Sequence, residues 1–168
     1  MREISEETFG SIHSFMKGLN NEQVPEFVKS LQVKQPSIHA FIYQYLGELA
    51  EPPSLGMGGY LFAIIIRCYE YEYGEFQTIT PEKVLEFHTD KMKYIAAELK
   101  RKPLNKVVSG LRREARQRVM IEYLDIMMMG SNDVETVFNA VEKEKIRVAI
   151  YMIIVLLNEE MEKILLDS

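Results

Sequence analysis

The sequence predicts an all-α fold: a compact bundle of about seven or eight helices, forming one domain over residues 1–168. Three observations carry this. Apolar residues recur at helical spacing along nearly the whole chain, no stretch keeps a period-two alternation for the length of a strand, and no Gly/Ser linker divides the chain.

The elements read in order. A first helix over residues 5–18 puts Phe9, Ile12, Met16 and Leu19 on one side. A second, 21–33, carries Val24, Phe27, Val28 and Leu31, with Pro25 tolerated in the first turn. Gln35-Pro36 breaks and restarts the chain, because proline fits the first helical position and disfavours helix in the residue before it. The third helix, 36–50, is amphipathic through Ile38, Phe41, Ile42, Tyr45, Leu46 and Leu49, and Pro52-Pro53 is read as its end. Gly56 to Gly59 reads as a flexible connector, and 60–73 as a nearly all-apolar, central helix closed by Gly74. Thr80-Pro81-Glu82 is a start signal, a capping hydroxyl followed by proline. The fifth helix then runs to about Arg101 with Val84, Leu85, His88, Met92, Ile95, Ala96 and Leu99 in line.

A sixth helix is expected over 104–129, amphipathic at first (Val108, Leu111, Ala115, Val119) and apolar all round later. Asn132 and Glu135 form a capping box for the last helix, which is expected to bend near Glu142 to Lys145 rather than run unbroken. Phe41-Ile42-Tyr43-Gln44-Tyr45-Leu46 echoes Val119-Met120-Ile121-Glu122-Tyr123-Leu124, the pattern of a pseudo-duplicated helical hairpin or of chance likeness between amphipathic helices.

Composition narrows the class. The single Cys68 excludes a disulfide scaffold and a Cys-based zinc cluster, and fits a reducing compartment. The start is charged (Arg2, Glu3, Glu6, Glu7) where a secretory signal would be apolar, and both greasiest runs (55–66 and 148–157) are short of the roughly 20 residues that cross a bilayer. A cytoplasmic location with no membrane partner is the expectation. Ten methionines serve core gaps or an adaptable binding surface, the first role being the commoner.

Catalytic and metal motifs are scarce. Gly10, Pro36 and Leu85 stand three before His13, His39 and His88, so the Glu-x-x-His pair of carboxylate-bridged metal bundles is absent, as is His-Glu-x-x-His. No metal and no cofactor is expected. Cys68 reads as a buried structural thiol. The glycine segment lacks the Gly-Lys-Ser/Thr ending of a phosphate loop. Arg67 and Glu122 interrupt apolar stretches, which predicts partners inside the bundle, each other among the candidates.

Charge is distributed unevenly. Residues 100–118 hold Lys100, Arg101, Lys102, Lys106, Arg112, Arg113, Arg116 and Arg118 against Glu114 alone, a local +7 in a chain of −5. This is the candidate anion- or partner-binding segment, or else a solvated face paired with the chain's own acids. At the C-terminus Ile150, Ile154, Leu157, Met161 and Ile164 step like a heptad seam, serving the core or a homodimer. The Tyr69, Tyr71 and Tyr73 run spreads tyrosines over more than one face.

The functional expectation is a non-enzymatic domain that binds another protein or itself, in a regulatory or adaptor role. The alternative is a nucleic-acid or phosphate-binding accessory domain using 100–118. A third reading is an enzyme whose site assembles from Arg67, Glu122, His39 and tyrosines.

Overall fold

The computed structural model describes residues 3–47, 52–129 and 140–166. Among them lie eight α-helices and no strand: α1 (Glu6–Gly18), α2 (Gln23–Lys34), α3 (Pro36–Gly47), α4 (Pro52–Tyr73), α5 (Pro81–Leu99), α6 (Leu104–Ala115), α7 (Arg118–Met129) and α8 (Ala140–Leu166).

Two helices make the centre. In α8 every residue from Val148 to Asn158 is buried, so no face of that stretch meets water. In α4 the run Leu61 to Ile66, with Cys68 and Tyr69, is buried likewise. Each aliphatic side chain so removed from water contributes about 1.5–3 kcal/mol. Around α8 pack α6, α4, α3 and α5; around α4 pack α1, α3 and α2; α7 lies on α1. The two echoing hexapeptides fall in α3 and α7, each followed by one of the central helices.

Local signals account for several boundaries. Thr8 N–H donates to Ser5 Oγ (3.1 Å) at the start of α1, and Lys83 N–H to Thr80 Oγ1 (3.3 Å) at the start of α5. The side-chain carbonyl of Asn20 accepts from Glu22 and Gln23 N–H, so α2 begins two residues later than expected.

Three expectations fail. First, Pro52 opens α4, and Gly56 to Gly59 lie inside that helix and are no connector. Proline's fixed φ suits a first turn as well as a stop. The segment stays helical despite its glycines because it is packed: a Cβ on Gly59 would sit 3.2 Å from Tyr43 Oη. Backbone N–H groups there are committed to the helix and cannot cradle an anion. Second, the expected helix over 104–129 is two helices. Arg116 adopts a left-handed conformation (φ 54°, ψ 9°), and Gln117 is buried between α6 and α7. Third, α8 passes through Glu142 to Lys145 without a break. The capping box at Asn132 and Glu135 lies outside the described residues, as does the end of the third helix expected at 48–50.

The break at Arg116 has a tertiary cause. Ile4 N–H donates to Gln117 Oε1 (2.8 Å), and Gln117 Nε2 donates to Asn158 Oδ1 (3.3 Å). Tyr69 O–H donates to the same oxygen (2.5 Å), and Asn158 Nδ2 donates to the Ala115 carbonyl at the end of α6 (2.6 Å). One buried amide pair thus joins the N-terminal segment, α4, α6 and α8. Val119 N–H, orphaned at the start of α7, donates to Glu3 Oε1 (3.0 Å).

Candidate functional site

A concavity lies between α3 and α5. Ile38 and Ile42 turn α3 inward, and Val84 and Ile95 do the same for α5. On the solvent side of these anchors runs a groove of about 710 Å³, within the usual range of ligand-binding clefts. Its walls are Pro36, Ala40 and Phe41 from α3 and Leu85, His88 and Met92 from α5. The Phe41 and His88 rings meet edge to face, centroids 5.2 Å apart, and tie the walls together.

The α5 wall is one end of a longer apolar stripe. Leu85, Met92 and Leu99 are 65%, 38% and 45% exposed and spaced by seven, so they share one face of the helix. The helical spacing puts all three in one line with the buried Val84 and Ile95. What separates them is the width of that line: at 3.6 residues per turn the apolar arc from Val84 to Ala96 spans about 120°, and the bundle covers only the edge holding Val84 and Ile95. An arc that wide in a helix with charged flanks was the signal available in the sequence.

All eight cations of residues 100–118 are exposed. Four pair with the chain's own acids: Lys102 with Glu98, Arg112 with Asp125 (3.3 Å), Arg116 with Glu162 (3.8 Å) and Arg118 with Glu122 (3.5 Å). Lys100, Arg101, Lys106 and Arg113 have no ion pair among the described residues. The segment is therefore half self-neutralised. On α6 the cations stand opposite Val107, Val108, Leu111 and Ala115, which are buried.

The interior charge pair is not found. Arg67 pairs with Glu70 one turn on (2.7 Å), and Glu122 sits on the outer face of α7 beside Arg118. Neighbours at i+3 or i+4 satisfy each charge locally, so no cross-bundle partner is required. His39 stacks on Tyr43 (4.4 Å), and His13 lies edge-on to Tyr123 (5.0 Å). The constellation of Arg67, Glu122 and His39 is thus dispersed among separate local contacts. Burial lowers the pKa of both histidines, with Lys17 adding to the effect at His13, whose Nδ1 is buried with no hydrogen-bond partner among the described residues. A second cavity beside His39 holds only about 20 Å³ and is apolar. Among the described residues no group of three or more His, Cys, Asp or Glu could hold a metal ion, and no helix is long and apolar enough to cross a membrane.

Cys68 is fully buried, and burial, with Glu72 nearby, pushes its thiol up to about 12. The heptad-like seam of α8 is consumed by the chain's own core: Ile150, Ile154, Leu157 and Met161 are buried and only Ile164 is exposed. Four of the five seam residues are thus committed to the chain's own core. Tyr69 is buried, whereas Tyr71 stands in solvent. Neither protein-family models, curated proteins nor solved structures match this chain.

Proposed function

We propose that this chain is a non-enzymatic, helical protein-interaction domain whose α3–α5 groove receives an amphipathic helix. The observation that carries the reading is the exposed stripe Leu85–Met92–Leu99 continuing the apolar groove. Large side chains displayed in a row along a cleft are the pattern by which one helix receives another, read through anchors at seven-residue spacing. A regulatory or adaptor role suits a site whose walls are mainly apolar contact surface.

Titration of isotope-labelled protein with an amphipathic helical peptide bearing leucines at i, i+3, i+4 and i+7 tests this. Amide shifts should concentrate at Ala40, Phe41, Leu85, His88 and Met92. Shifts scattered over the surface, or none at millimolar peptide, would overturn the reading.

A second reading keeps one specific observation, the four exposed and unpaired cations Lys100, Arg101, Lys106 and Arg113. They suit a phosphate-bearing or nucleic-acid partner held mainly by charge. Retention on a polyanion column that falls with salt and disappears in Lys100→Ala/Arg101→Ala/Lys106→Ala/Arg113→Ala supports it. Flow-through at low salt removes it.

A further inference from the structure

The groove and stripe are matched by a helix of this same molecule, and we infer that two copies associate through antiparallel α5 helices related by a two-fold axis at Met92. The inference rests on the groove reading above and names the occupant. Its basis is that α5 is complementary to itself in reverse.

The apolar part is symmetric. Leu85 and Leu99 lie seven residues on either side of Met92. In an antiparallel pair Leu85 of one copy therefore meets Leu99 of the other, and Met92 meets Met92. At 1.5 Å per residue this seam is about 21 Å long, three to four turns. A two-fold contact of this kind closes on itself and gives a dimer rather than a filament.

The charged part is complementary in the same register. Taking Met92 as zero at 100° per residue, Glu82, Glu86, Lys93 and Lys100 all fall on the flank of α5 turned away from α3. The two acids are at the N-terminal end and Lys100 at the C-terminal end. Reversal about Met92 brings Lys100 of the partner level with a point midway between Glu82 and Glu86, about 3 Å along the axis from each. Lys100 has no carboxylate partner within its own chain among the described residues. Lys93, nearest the two-fold, already carries a carboxylate of its own, Asp90 at 3.5 Å, which softens repulsion between the copies.

Sedimentation velocity of the full chain from about 10 μM to about 500 μM tests this; a seam this short belongs with weak, transient interfaces. The mass should rise with concentration from 19.6 kDa toward twice that value, and Met92→Glu should hold it at the monomer. Glu82→Lys/Glu86→Lys and Lys100→Glu should each weaken association several-fold, and mixing the two should restore it as a heterodimer. A wild-type mass that stays monomeric throughout overturns the inference, and so does association indifferent to both charge variants. A monomeric chain that still shifts at α3 and α5 with the leucine peptide overturns self-association while leaving the groove reading in place.

Discussion

Replacing Asn158 by leucine probes the packing that holds the bundle around α8. Asn158 is buried at the junction of α4, α6 and α8. Leucine keeps its approximate volume and removes its hydrogen bonds. The Ala115 carbonyl then loses the donor at 2.6 Å, and Gln117 Nε2 loses its acceptor at 3.3 Å, while Tyr69 O–H keeps the Ile154 carbonyl at 3.3 Å. Two buried groups are left without a partner at about 1–3 kcal/mol each, or about 2–6 kcal/mol together. Burying the leucine returns about 1–2 kcal/mol. The middles of these ranges leave a net loss of about 2–3 kcal/mol, a large share of the stability of a domain this size. Urea denaturation followed by circular dichroism measures it as a fall in midpoint at unchanged slope. Stability within about 0.5 kcal/mol of wild type would mean that the amide pair does not hold the α6–α7 break, and the reasoning fails.

Arg116→Gly should raise stability by about 0.5–1 kcal/mol, because glycine adopts the left-handed conformation without a Cβ clash and the exposed pair with Glu162 contributes little; a fall in thermal midpoint would contradict this. Cys68 should resist thiol reagents in the native protein and react fully in denaturant, since burial holds the thiol protonated; prompt native reaction would show the α4 packing to be wrong. His13 and His39 have pKa values below the ordinary 6.5 when folded, so the unfolded chain binds protons more readily. Their contribution is intact above pH 6.5 and is lost as pH falls below it. The thermal midpoint should therefore drop between pH 7.5 and 5.5, less steeply in His13→Gln/His39→Gln, and an unchanged slope in that double variant would refute the assignment.

Helix content was legible because it is local. Ser5 and Thr80 announce their caps, and the 3.6-residue recurrence around Phe9, Ile12 and Met16 or Val107, Val108 and Leu111 needs no knowledge of the rest of the chain. The split at Arg116 was illegible for the opposite reason. Neither Arg116 nor Gln117 is a helix breaker, and the break depends on Ile4 and Asn158, remote in sequence. Pro52 was ambiguous, since the same fixed φ ends one helix or opens the next, and packing against Tyr43 favoured the second. The candidate site was half legible. The outward face of 100–118 follows from periodicity, but its neutralisation by Asp125 and Glu162 does not. On α5 the sequence shows how wide the apolar arc is, and not which edge of it Val84 and Ile95 commit to the core.

Disulfide trapping puts the α5 stripe to the most direct test. Met92→Cys should form a covalent dimer in mild oxidant at least about 10-fold faster than Ile126→Cys, a more exposed position on α7, because only the first thiol is held against its twin. Buried Cys68 adds no background. Equal rates for the two variants would contradict the account, leaving Leu85, Met92 and Leu99 as exposed apolar residues with no second α5 against them.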